Sequence, residues 1–129
     1  MAINLIAAVG KRGQLGLNNT MPWKSPEDLK WFRKMTLGGI LIMGARTVSH
    51  LPTPLLGRET IVPTRFETPA EILDKLHGEQ REIWVAGGAK TYAQWLPYVT
   101  RFFISRIDYD GPADTWMPDL SLYTTGDKA

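Results

Sequence analysis

The sequence predicts an α/β fold with a mostly parallel central sheet, and three observations predict it. Its apolar runs are short and unbroken, as in strands buried on both faces. Helical patterns with recognisable caps lie between those runs, and Gly or Pro punctuates most joins. With right-handed crossovers this alternation builds a sheet of about five strands with helices on both faces. The chain has 129 residues, no internal repeat and no linker-like stretch, so it is read as one domain spanning residues 1–129, with a flexible tail over about 120–129.

The strands are expected at Ile3 to Val9, Ile40 to Met43, Thr60 to Val62, Glu82 to Ala86 and Phe102 to Ile107. The best-marked helix starts after Ser25, a capping residue followed by Pro26 at the first helical position and by Asp28 three residues after the cap. Gly38 and Gly39 end it near Thr36. Pro69 to His77, closed by Gly78, and Ala89 to Leu96, ending before Pro97, are the next helices, and a short one is expected after Gly44. Between Gly10 and Lys24 the density of Gly, Asn and Pro predicts no regular element. A loop of that length in a small domain is either an inert surface connection or a lid over a ligand.

Composition excludes several classes. With 43% hydrophobic and 22% charged residues the chain is an ordinary globular protein. It has no cysteine, which rules out disulfides and thiol catalysis and fits a reducing, cytoplasmic setting. Its two histidines, His50 and His77, show no ligand spacing, so no metal site is expected. The opening apolar run is too short to span a bilayer and lacks the basic flank of a signal peptide. A net charge of +2 carried by scattered Lys and Arg does not form the dense stripe of a nucleic-acid binder and suits small anionic ligands better.

Two features could carry chemistry. On the helix after Ser25, Asp28 shares a stripe with Phe32 and Met35, with Leu29 beside it, so a carboxylate interrupts an apolar face. The cap and helix dipole explain Asp28 equally well; if that face lines a cleft, burial would favour its protonated form and the carboxyl could hold an amidine-like ring edge. The second feature is a pair of Gly-containing turns, Gly44-Ala45-Arg46-Thr47 and Gly87-Gly88-Ala89-Lys90-Thr91, each following a strand and opening a helix. Such turns at the carboxyl ends of parallel strands offer backbone N–H groups to phosphate. Neither matches G-x-G-x-x-G or a P-loop, and each alone is an ordinary connection.

The order of motifs goes further. Leu5-Ile6-Ala7-Ala8, Leu15-Gly16, Met21-Pro22-Trp23, Pro26-x-Asp28-Leu29-x-Trp31-Phe32, Ile42-Met43-Gly44, Gly57-Arg58, Gly87-Gly88 with Tyr92, and Asp114-Thr115-x-x-Pro118-Asp119 together resemble the dihydrofolate reductases. The likeness runs from Ile3 to Asp119. It implies a dihydrofolate-reductase-like fold and a cytoplasmic, NADPH-dependent oxidoreductase that converts 7,8-dihydrofolate to tetrahydrofolate and is open to antifolate inhibitors. Asp28 would bind the pterin and support N5 protonation, Trp23 would order a water, and Ser105 would stand where a hydroxyl supports the carboxylate. Ala8, Leu29, Phe32, Leu51 and Leu55 would line the substrate pocket, Arg58 would pair with the glutamate α-carboxylate, and Tyr92 would stand near the nicotinamide. Ala7, Leu15, Gly16, Gly44, Arg46, Thr47, Ala86, Gly87, Gly88, Ala89, Lys90, Thr91 and Thr115 match cofactor-binding positions. The family's Gly-Gly bond is cis.

The departures matter too. Ala45 stands where the family usually has a basic residue near the cofactor's 2'-phosphate, and Arg65 with Thr64 is placed to compensate, unless Arg65 is a solvated loop charge. Three of the family's strands are missing: an edge strand after Val62 and the final hairpin after Asp119. Exposed strand edges invite pairing, so either the Asp108 to Tyr123 tail covers one edge, leaving a monomer, or the protein forms an edge-mediated homodimer. A pyrimidinone reductase of the same fold would share the cofactor turns but has no reason to combine Trp23, Asp28 and Arg58. A folate-binding or structural relative without turnover is the non-enzymatic alternative.

Overall fold

A computed structural model describes residues 2–18, 21–51 and 55–120. Its central sheet is fully parallel and contains five strands: β1 (Ile3–Val9), β3 (Ile40–Ile42), β4 (Glu59–Ile61), β5 (Ile83–Val85) and β6 (Arg101–Arg106). Their order is β4-β3-β5-β1-β6. The chain steps outward through β3 to β4 and then returns to place β5 beside β1, so the crossovers reverse direction between β4 and β5. Helices α1 (Pro26–Thr36) and α2 (Ala45–Ser49) serve the outward steps; α3 (Pro69–Lys75) and α4 (Ala89–Trp95) serve the return.

Two cores result. Trp31, Phe32 and Met35 of α1 and Val48 of α2 pack on Ile6, Leu41, Met43 and Trp84 on one face of the sheet. On the other, Ile72, Tyr92 and Trp95 pack on Leu5, Ala7, Ile42 and Val85. The unbroken apolar runs have this cause, since β3 and β5 bury every residue.

Local chemistry places the helices. Ser25 caps α1 by accepting from the Asp28 N–H at 3.2 Å, and Gly38 with φ +80 follows its end. At α3, Thr68 and Glu71 form a reciprocal capping box. Helix α4 does not stop the chain's helical course at Pro97: a 3-10 turn, Leu96–Tyr98, carries Pro97 at a position needing no N–H. Among the described residues no helix is long and apolar enough to cross a membrane.

One expectation is corrected. Within the Gly10 to Lys24 connection lies a strand, β2 (Gln14–Gly16), paired antiparallel with β7 (Thr115–Trp116) in a separate two-stranded sheet. Turn residues flank this strand without entering most of it. The described part of the tail therefore runs to the loop, where Met117 and Leu120 pack on the α3–α4 core; residues 121–123 lie outside the described residues.

Candidate active site

The site assembles at the carboxyl ends of the parallel strands. Because β3 and β5 are neighbours, the two Gly turns that follow them lie side by side, and the Gly44 N–H donates to the Gly87 carbonyl at 2.8 Å. The Gly87–Gly88 peptide is cis. Each turn's threonine faces the other turn's glycine: a Cβ on Gly44 would lie 3.0 Å from Thr91 Oγ1, and one on Gly88 would lie 3.3 Å from Thr47 Oγ1. Ala86 packs with the α1-face core, and Ala89, Lys90 and Thr91 open α4. Thr64 and Arg65 follow β4, next to β3. The cations at this rim, Arg46, Arg65 and Lys90, are exposed and take no part in the ion pairs found among the described residues. Arg65 lies 5.5 Å from the Phe66 ring. Paired glycines, two hydroxyls and unneutralised cations form a donor set suited to a phosphate-bearing cofactor.

Tyr92 joins this turn to the rest of the site. Its hydroxyl donates to the Ile6 carbonyl of β1 at 2.8 Å and lies 3.3 Å from where a Gly87 Cβ would be. Burial pushes the phenol's pKa far up, and the charge of Asp28 pushes it further. Asp28, on another element, is therefore close enough for its field to reach Tyr92. Tyr92 thus feels the charge of Asp28 from one side and lies against the Gly87–Gly88 turn on the other.

At Trp23 and Asp28 the polar accounting is incomplete. Buried side-chain nitrogens and oxygens normally have partners, yet among the described residues Trp23 Nε1 and Asp28 Oδ1 are buried and have none. Both belong to the predicted catalytic set. An unpaired buried carboxylate oxygen and an unpaired indole N–H offer one acceptor and one donor to a polar ligand edge.

The remaining predicted residues fall into three groups. Phe32, Leu51 and Leu55 pack against the buried cluster of Ile6, Leu41, Met43 and Trp84, forming an apolar wall; Ala8, the register partner of Ser105, lies on the same face of the sheet as Ile6 by strand alternation. Leu29 is 43% exposed and belongs to the rim instead of the packed wall. Ser105 makes no hydrogen bond to Asp28 among the described residues, so the supporting role implied by resemblance is not formed here; Asp28 Oδ1 stays unpaired.

Arg58 is held tightly. Nε donates to Thr36 Oγ1 at 2.8 Å, one terminal nitrogen to the Arg33 carbonyl at 2.5 Å and the other to the Leu56 carbonyl. Burial and the neighbouring Arg33 charge both lower its pKa from the ordinary guanidinium value. A guanidinium has five N–H donors, so with these three engaged each terminal nitrogen keeps one donor over. Thr36 lies on α1 two turns beyond Asp28, roughly 12 Å along the axis at 1.5 Å per residue.

Ala7 is buried in β1 and Leu15 packs against the α3–α4 core. Gly16 and Thr115 are partners in the β2–β7 pair, and the Gly16 carbonyl accepts from the Asp114 N–H at 2.9 Å. Asp114 also accepts from the Asn18 N–H, at 3.0 Å, and from the Thr115 hydroxyl, which hold its pKa below the usual carboxylate range.

Sequence reasoning missed the segment opposite the loop. Arg12 donates to Asp110, Lys11 pairs with Asp108 at 2.9 Å, and buried Gln14 binds the Arg12 N–H and the Gly111 carbonyl. Tyr109 lies with its ring centroid 5.4 Å from that of Trp23. The signal available was charge: a Lys11-Arg12 pair in the loop and acids at Asp108 and Asp110 in the tail.

Comparison with known proteins agrees with the geometry. The family model described as dihydrofolate reductase matches residues 2–125. This chain belongs to the dihydrofolate reductase family. A type 9 dihydrofolate reductase of Escherichia coli is 32% identical, the match covering 95% of this chain and 78% of the relative. The dihydrofolate reductase of Buchnera aphidicola from Acyrthosiphon pisum is 36% identical over 95% of this chain and 83% of its own. A dihydromethanopterin reductase of Methylorubrum extorquens is 36% identical over 88% of each chain.

Proposed function

We propose that this protein reduces 7,8-dihydrofolate to 5,6,7,8-tetrahydrofolate, with NADPH as reductant. The observation that carries the reading is the unpaired buried Asp28 carboxylate oxygen, within electrostatic reach of Tyr92 and its Gly87–Gly88 turn. A pterin presents an amidine-like edge of N–H donors, and Asp28 would accept from it and fix the ring's orientation. Trp23 would donate its indole N–H to a polar partner beside the ring. Phe32, Leu51 and Leu55, with Ala8, would exclude water from the apolar part of the substrate. Arg58, already oriented by its three acceptors, would receive the tail carboxylate.

The residues present fit the cofactor. Arg46, Thr47 and Gly88 to Thr91 would hold its pyrophosphate, with Ala7, Leu15 and Gly16 at the nicotinamide end and Arg65 with Thr64 at the 2'-phosphate in place of a cation at Ala45. When bound, NADPH supplies a hydride from nicotinamide C4 to pterin C6. The protein's own contribution is to bring the two rings together, hold them dry and stabilise the protonated N5. The chain would act in the cytoplasm on small molecules, with antifolates as competitors, as a monomer or an edge-mediated homodimer and without a nucleic-acid or membrane partner.

The test follows loss of reduced-nicotinamide absorbance with dihydrofolate, comparing the natural protein with Asp28→Asn. The variant is expected to lose at least about a hundredfold at neutral pH, within the usual range for a proton-transfer group, and to recover part of that at low pH, where N5 is already protonated in solution. Equal rates at neutral pH would defeat the assignment. Dihydromethanopterin in the same assay decides the substrate arm: Arg58→Leu should raise KM for dihydrofolate about tenfold or more and leave a substrate lacking that carboxylate nearly unaffected.

A further inference from the structure

We infer that Tyr109 is a positioning residue whose ring holds the Trp23 indole in place, and so holds the buried N–H of Trp23 ready for the substrate crevice. The inference rests on the reading of Trp23 given above. Trp23 stands on the far limb of the loop, beyond the β2–β7 pair, and that pairing does not reach it. Among the described residues the indole makes no hydrogen bond, and its one ring contact is Tyr109, tilted at 50°.

Tyr109 itself is fixed from several sides. Its hydroxyl donates to the Pro112 carbonyl at 2.6 Å, its N–H donates to the Ile107 carbonyl at 2.8 Å, and its carbonyl accepts from the Lys11 N–H at 2.8 Å. Two glycines make room for it: a Cβ on Gly111 would lie 2.6 Å from the Tyr109 hydroxyl, and one on Gly10 would lie 2.9 Å from its carbonyl. A side chain at Gly111 would collide with the ring, and one at Gly10 would collide with the Gln14 amide as well as with the Tyr109 carbonyl. The phenol is therefore a rigid post built on the segment after β6, and a tilted aromatic pair of this kind is favoured beyond its buried area. Tyr109 meets both limbs of the loop, the first through its backbone carbonyl, which accepts from Lys11, and the second through its ring, which lies against Trp23.

The experiment uses Tyr109→Phe, which keeps the ring, and Tyr109→Leu, which removes it, each alone and combined with Trp23→Phe. With dihydrofolate and NADPH, Tyr109→Leu should lower kcat about tenfold with little change in KM for NADPH, while Tyr109→Phe stays within about twofold of the natural protein. In the Trp23→Phe background the Leu substitution should add less than twofold, the non-additivity expected of residues acting as one unit. A readout independent of turnover is the emission component lost in Trp23→Phe: acrylamide should quench it more strongly in Tyr109→Leu and equally in Tyr109→Phe, in the protein alone. A tenfold loss that persists without Trp23, or quenching identical in all three proteins, overturns the proposal. Trp23→Phe with full turnover overturns the functional reading of Trp23 and the positioning role with it, even where quenching shows the rings coupled.

Discussion

Tyr92 illustrates how one side chain can serve the core and the site together. It is 5% exposed, and its hydroxyl is committed to the Ile6 carbonyl. Burial keeps the phenol neutral in the folded protein at pH values where an unfolded tyrosine, near pKa 10, ionises. Unfolding above that pH releases a proton, so the contribution of Tyr92 to stability is complete below pH 10 and declines as pH rises further. We expect Tyr92→Phe to cost about 1 kcal/mol at pH 8 through the lost hydrogen bond and to remove up to about 1.4 kcal/mol per pH unit of alkaline destabilisation. Urea unfolding of both proteins at pH 8 and pH 11 checks this; parallel losses would show that the phenol is not shielded. Arg58 teaches a related lesson. The sequence shows a cation at the right place, but only the fold shows that Thr36 and the end of α1 aim it.

At the scale of elements, the β2–β7 clasp is the least expected part of the structure and the part on which the loop depends. Its surface ion pairs, Lys11 with Asp108 and Arg12 with Asp110, are exposed and contribute little singly. Gln14 differs, being fully buried with both ends of its amide engaged. Gln14→Leu would strand the Arg12 N–H and the Gly111 carbonyl, costing about 1–3 kcal/mol. Hydrogen exchange should then accelerate together in residues 10–17 and 109–117, with β3 and β5 unaffected; acceleration confined to one segment would mean that the two do not open as a unit. The elements with their own local codes were legible beforehand. Ser25 with Pro26, Thr68 with Glu71, and the apolar runs each specify an element within a few residues. Strands β2 and β7 were not, because three residues and two have no periodicity to read and exist only through each other.

For the whole molecule, the charge arrangement bears on the cofactor. Among the described residues the ion pairs lie away from the Gly turns, and Arg46, Arg65 and Lys90 take part in none of them. A ligand bound only by the folded state adds about 2.7 kcal/mol at a hundredfold excess over Kd. NADPH should therefore raise Tm more than NADH at equal concentration, and Arg65→Ala should narrow the difference. Equal shifts for the two cofactors in the natural protein would remove Arg65 from the 2'-phosphate.

The class of fold, a mostly parallel sheet of about five strands, the helix starts and the set of residues resembling a reductase site could all be read from the residues alone, because caps, periodicity and motif order are local properties. Tertiary structure decided what lies next to what. Folding brought the charge of Asp28 to bear on Tyr92, tied Arg58 to the end of α1, and set Tyr109 against Trp23. Each of these joins segments far apart in the chain, and the free energy that selects such contacts comes from burial and polar pairing across elements, which no short stretch of residues encodes alone.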